Sequence, residues 1–131
     1  MIFVDSNILM YVAGKDHPNK EPARQILARA RTGGVEIFTS TEVLQEILYR
    51  YVALRRRDLA RQVYGLFVEV CPRVLPVTIP DTDRAKEIIA KGTRVSVRGA
   101  FHAAVMLSTV CARSRPSTPA STPSTVCGAC R

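Results

Sequence analysis

The chain opens on an apolar run, "MIFV", that stops at Asp5, Ser6 and Asn7. A run this short, bounded by polar turn formers, predicts a buried strand whose last residues turn outward at a sheet edge. In "HPNKEPARQILARARTGG", Ala23, Ile26, Leu27 and Ala30 recur at helical spacing, Pro18 and Pro22 suit a helix start, and Gly33 and Gly34 supply a stop. "VEIFTS" predicts a second strand, with Thr39, Ser40 and Thr41 available to cap a helix after it. That helix is "TEVLQEILYRYVALRR", which sets Val43, Leu44, Ile47, Leu48 and Tyr51 on one face. A third helix, "DLARQVYGLFVEV", begins at Asp58 as its cap. The apolar positions Val74, Leu75, Val77 and Ile79 of "RVLPVTIP" suggest a third strand, weakened or bent at Pro76. "DTDRAKEIIAKG" carries capping acids at one end and a glycine at the other, so it predicts a helix. "VRGAFHAAVMLSTVCA" is the last helical stretch, and Tyr49, Tyr51 and Tyr64 suit a core or an interface.

Strands alternating with helices predict an α/β layer fold with a mainly parallel sheet, in which the working site lies beyond the carboxyl ends of the strands. The chain of 131 residues suits one domain. From Arg113 onward the pattern stops: ten of the nineteen residues are Ser, Thr or Pro. Such a stretch cannot bury enough apolar surface to offset its ordering entropy. The division predicted is a domain over residues 1–112 and a disordered tail over 113–131.

Charge narrows the partners. There are 19 Lys and Arg against 11 Asp and Glu, and no acid follows Glu87. A basic balance favours polyanions such as nucleic acid, although a merely basic surface gives the same count. Asp5 interrupts the first apolar run too early for a signal peptide, and no run is long enough to span a membrane, so a cytoplasmic protein with no membrane partner is expected. Cys71, Cys111, Cys127 and Cys130 are then expected as reduced thiols. The Cys127 and Cys130 pair lacks a second pair at zinc-site spacing, and no glycine-rich loop follows the first strand, which disfavours zinc-module and nucleotide-binding readings.

An acid at the end of a buried strand requires a reason. Asp5 either stabilises the turn after the strand or ligates a cation such as Mg²⁺ or Mn²⁺, which prefers oxygen donors from several elements. Glu42 and Glu46 lie on the helix after the second strand, near the same sheet edge. Glu42 suits the first turn of that helix, where it favours the dipole. Glu46, flanked by Leu44, Ile47 and Leu48, is nearer the core and is the better ligand candidate.

Three segments, "MIFVDSNILMYVAGKDHP", "TSTEVLQEILYRY" and "VSVRGAFHAAVML", together resemble the successive signature regions of PIN-domain ribonucleases of the VapC toxin type. The likeness spans residues 1 to about 107. It implies a PIN-like three-layer fold, a short parallel sheet flanked by helices, a Mg²⁺ or Mn²⁺ cofactor, hydrolysis of single-stranded RNA, a cognate VapB-type antitoxin and a homodimer. It carries over to Asp5 and Glu46 as catalytic, metal-binding acids, with Asn7 and Ser40 as supporting residues. His102 matches the histidine of the family's "HAA" segment and is read as structural, supporting the site from behind. Arg50, Arg55, Arg56 and Arg57 are candidate contacts to RNA or a partner, or a solvated helix junction.

The likeness breaks at Gly99, where the family has its third metal acid, and no acid follows where a fourth is expected. Two readings result: a metal-dependent ribonuclease toxin with impaired activity, or a degenerate relative that binds antitoxin or RNA without cutting. Ser-Thr pairs recur at 108–109, 117–118, 121–122 and 124–125. Read two bases later, each such junction encodes Tyr, His, Asn or Asp, which permits a strand and an acidic loop like the family's closing segment. A frame change near residue 107, in the gene or in its sequencing, is therefore expected, with the C-terminal part of the sheet missing.

Overall fold

The computed structural model describes residues 1–92 and 94–113. Its order is β1 (Ile2–Phe3), α1 (Ser6–Ala13), α2 (Lys20–Arg31), β2 (Ile37–Ser40), α3 (Thr41–Ala53), α4 (Arg57–Val70), β3 (Val74–Leu75), α5 (Ile79–Ala90) and α6 (Val97–Arg113). The strands form a parallel sheet in the order β1-β2-β3, so the predicted α/β class holds. Ile2 and Phe3 pair with Ile37 and Phe38, and Thr39 and Ser40 pair with Val74 and Leu75. Parallel neighbours need a crossover between them, and each here is a pair of helices. Because its two ends pair with different strands, β2 is buried along its whole length.

The core gathers Val4, Ile37, Val43, Ile47, Val63 and Phe67 between the sheet and α3 and α4. A second, smaller cluster of Ala85, Ala100 and Ala104 joins α5 to α6. Three alanines let these helix backbones approach closely, which seats α6 as a platform for the residues it carries.

Several boundaries move from the predicted ones. The residues after Asp5 form α1 rather than a bare turn. The Asp5 side chain accepts the Ser6 N–H and starts that helix, so the apolar run continues across a change of element without a gap to mark it. Asp58 stands inside the first turn of α4, 3.6 Å from Arg56, and does not cap it. Ser40 holds the N-cap position of α3 without a capping bond from its side chain. The third strand ends before Pro76, and Ile79, three-quarters exposed, begins α5 instead of extending a strand. Thr78 caps α5: its N–H and hydroxyl both donate to Asp81 Oδ2, at 2.9 and 2.7 Å. Gly99 is the third residue of α6, whose N-cap position is filled by Ser96, with its hydroxyl accepting the Gly99 N–H at 3.1 Å. Of the tyrosines, Tyr51 is buried and Tyr49 is exposed.

Gly33 and Gly92 stop α2 and α5 at positive φ, 74° and 67°, where a side chain would be strained. No helix among the described residues is long and apolar enough to cross a membrane. Cys71 is buried, and burial pushes its thiol up to about 11, so it is inert as a nucleophile. The Ser/Thr/Pro-rich tail after Arg113, with Cys127 and Cys130, lies outside the described residues.

Candidate metal centre

Three elements distant in sequence converge just past the carboxyl end of β1. One ligand atom from each of Asp5, Glu46 and His102 lies within 4.8 Å of the other two. Asp5 is delivered by the strand end and held from both sides. Its Oδ1 accepts the Ser6 N–H at 2.6 Å and the Ser6 hydroxyl at 3.2 Å, and its Oδ2 accepts the Asn7 amide at 3.1 Å. The capping role and the place in the cluster therefore coexist. A carboxylate accepts about four bonds, so Asp5 keeps acceptor capacity toward the cluster.

Glu46 is buried because the face of α3 that carries Val43, Leu44, Ile47 and Tyr51 faces the core, and Glu46 shares the edge of that face. Its Oε1 accepts from Arg98 Nη1 at 2.5 Å and lies 3.8 Å from Arg50 Nη2. Its Oε2 is buried without a hydrogen-bond partner among the described residues. Leaving a buried carboxylate oxygen unpaired costs on the order of 1–3 kcal/mol or more. A cation reached by Oε2, Asp5 and the imidazole would remove that cost. Two carboxylates and a histidine from three elements are a donor set that fits a divalent metal ion.

His102 is buried on α6, its ring tilted 44° against Phe3 with centroids 5.1 Å apart. Its Nε2 lies 3.6 Å from Asp5 Oδ1, beyond hydrogen-bond length.

A family model described as PIN domain matches residues 2–112. The chain belongs to the PIN-domain family. It is 42% identical over 106 residues to Ribonuclease VapC13 of Mycobacterium tuberculosis, spanning 81% of each chain. It is 33% identical over 104 residues to Ribonuclease VapC23 of the same organism, spanning 79% of this chain and 82% of that one. These likenesses place it with the VapC-type PIN domains. No solved structure matches.

Within this PIN domain, Gly99 sits one helical turn before His102, so both face the same side of α6. Its neighbour Arg98, absent from the candidates that the sequence offers, reaches the centre. Arg98 crosses 52 positions of sequence to Glu46, and Arg50 approaches the same carboxylate oxygen from within α3. Two guanidinium charges thus stand beside the two acids, and the formal charge of Asp5, Glu46, Arg50 and Arg98 is zero. The spacing of Arg98 and His102, four apart on one helix, was the available signal. Arg50 is brought to the centre, where its guanidinium also contacts the Met10 sulfur. Arg55, Arg56 and Arg57 stand instead at the turn from α3 to α4, where Arg55 takes φ of 58°. Glu42 is in the first turn of α3 and outside the cluster, and Ser40 is buried with its hydroxyl unpartnered among the described residues.

Beside the centre, Asn7, Tyr11, Lys15, His17 and Arg50 line an open depression of about 290 Å³. The rings of Tyr11 and His17 stack within it, centroids 4.6 Å apart at 21°.

Proposed function

We propose that this chain is a divalent-metal-dependent endoribonuclease toxin of a VapBC-type module, hydrolysing phosphodiester bonds in single-stranded RNA in the cytoplasm. Its partners in this reading are RNA, a VapB-type antitoxin and a second copy of the chain. The observation that carries the reading is the convergence of ligand atoms of Asp5, Glu46 and His102 within 4.8 Å, beside a buried Glu46 oxygen without a hydrogen-bond partner among the described residues. The names of the relatives, both ribonucleases, support it.

Asp5 and Glu46 hold the cation, with Asn7 and Ser6 fixing the rotamer of Asp5. The chemistry supplied there by a bound Mg²⁺ or Mn²⁺ is polarisation of a phosphoryl oxygen and acidification of the attacking water. Arg50, next to the centre and on the rim of the depression, is placed to bind the phosphate of the scissile link. The Tyr11 and His17 rings offer a stacking surface to an unpaired base, which a duplex does not present.

The rate is lower than a four-acid centre gives. Gly99 withdraws one carboxylate, and Arg98 neutralises another. That pairing also favours a second reading, a degenerate PIN domain that binds antitoxin or RNA without cutting.

The two separate in a cleavage assay on single-stranded RNA with Mn²⁺, using the native chain, Asp5→Asn and Glu46→Gln. The enzyme reading expects slow cleavage, abolished by chelator and reduced at least about 100-fold by either substitution, the scale of losing a preorganised electrostatic group. Retained RNA or antitoxin binding with no cleavage in the native chain favours the degenerate reading.

A further inference from the structure

We infer that His102 is itself a metal ligand, standing in for the acid that Gly99 lacks, and that the resulting centre takes Mn²⁺ in preference to Mg²⁺. This rests on the reading of Asp5 and Glu46 as metal ligands.

Both ring nitrogens of His102 are buried without a hydrogen-bond partner among the described residues. A neutral imidazole has one N–H donor and one acceptor nitrogen, and a buried histidine held only for packing normally satisfies at least one of them. His102 satisfies neither, although its ring is fixed by Phe3 and pointed toward Asp5. Its distance to Asp5 is informative. Two donors each about 2.1 Å from one ion are about 3.0 Å apart when adjacent and about 4.2 Å apart when opposite. The 3.6 Å from His102 Nε2 to Asp5 Oδ1 is too long for a hydrogen bond and lies about 0.6 Å from either limit, a small shift from a shared cation. All three ligand atoms lie within 4.8 Å of one another, so a contraction of about 0.6 Å at most brings every pair inside the limit for a shared ion.

The third donor is equally specific. Glu46 Oε1 is taken by Arg98, and Oε2 is the oxygen left without a partner among the described residues. The cation can therefore be held by Oε2 while the arginine stays in place.

Replacing a carboxylate by an imidazole changes both charge and kind. Mg²⁺ depends on oxygen donors and surrenders its waters reluctantly, whereas a site that gains an imidazole shifts toward the first-row dications, of which Mn²⁺ keeps the taste for carboxylates that Asp5 and Glu46 supply. The arginine pairing lowers the negative charge further, which weakens binding of a hard ion held mainly by charge.

Electron spin echo spectroscopy of Mn²⁺ bound to the full chain tests this without any substitution. The expected result is nitrogen modulation that changes when the histidines carry ¹⁵N and that survives in His17→Asn, the only other histidine of the chain. Titration is expected to show Mn²⁺ bound at least about tenfold tighter than Mg²⁺. In His102→Gln, Mn²⁺ affinity is expected to fall about tenfold while Mg²⁺ affinity changes less than about threefold. Mn²⁺ bound without nitrogen modulation, yet released by Asp5→Asn, overturns the role of His102 alone. No Mn²⁺ binding, or binding indifferent to Asp5→Asn and Glu46→Gln, overturns the metal centre and the inference with it.

Discussion

Glu46 and Arg98 set the charge balance of the candidate centre. A guanidinium 2.5 Å from one carboxylate oxygen offsets the charge that would draw a dication, but Arg98 is about half exposed and its hold is screened by solvent. Arg98→Gln is expected to tighten Mn²⁺ binding by about threefold to tenfold, measured by titration calorimetry; unchanged affinity means that the pairing does not compete with the metal. Gly99→Asp acts from the other side. A Cβ at residue 99 would lie 3.1 Å from Val95 Cγ1 and 3.2 Å from Ser96 Oγ, so these side chains must give by a few tenths of an ångström. Against that stand the gain of an acid in the first turn of α6, about 0.3–1 kcal/mol, and the removal of a helical glycine. The melting temperature is therefore expected to hold or rise slightly while the cleavage rate rises about tenfold or more. The two acids that converge on the candidate centre, Asp5 and Glu46, stood out in the sequence because each is an acid at the border of an apolar pattern. Arg98 was not singled out: its four-residue spacing from His102 sets both on one side of α6, but its partner Glu46 lies on another helix, 52 positions away.

At the scale of elements, the site depends on how α6 is seated. Asp81 on α5 accepts from the Ser108 hydroxyl on α6 as well as from Thr78, so one buried carboxylate both caps α5 and ties it to α6. Burial pushes the Asp81 carboxyl up, but the hydrogen bonds from Ser108 and Thr78 outweigh it and hold the carboxyl below its ordinary value. A carboxyl lowered on folding binds its proton more weakly in the native chain than in the unfolded one. Its stabilisation is therefore fully present above the unfolded pKa of about 3.9 and is lost as pH falls through the lower folded value. Asp81→Asn is expected to lower stability by about 1–2 kcal/mol at neutral pH and by less below about pH 4. Thermal melts from about pH 3 to 7 measure this; a constant gap between the two chains contradicts it. The helices α2 and α3 were readable from their periodic apolar faces, and α5 from its capping acids and closing glycine. The first helix was not, because a capping Asp5 joins strand to helix inside one apolar stretch, and β3 was overextended because the alternation past Pro76 belongs to the start of α5.

For the molecule as a whole, a net charge of +8 sets how it would meet RNA in the proposed reading. Single-strand binding loses affinity as salt rises, with a log-log slope of about −0.7 for each phosphate neutralised. If the turn carrying Arg55, Arg56 and Arg57 guides the strand toward the centre, replacing all three by Ala makes the slope shallower. The expected change is about 0.7 for each phosphate those arginines neutralise, measured by fluorescence anisotropy between about 50 and 200 mM salt. An unchanged slope assigns that turn to solvent. The alternation of strands and helices made the layered fold legible at this scale, and the short apolar run ending at Asp5 marked the sheet end that carries it. The convergence of three side chains across β1, α3 and α6 was not legible, since it depends on how the α5 and α6 pair docks.

Whether Asp5 and Glu46 hold a catalytic cation is tested most directly by the rate of single-stranded RNA cleavage by the purified full chain as Mn²⁺ is titrated, with Asp5→Asn in parallel. A rate that saturates with Mn²⁺, vanishes with chelator and falls at least about 100-fold in Asp5→Asn is the predicted result. Cleavage that persists with chelator, or that Asp5→Asn leaves unchanged, contradicts it.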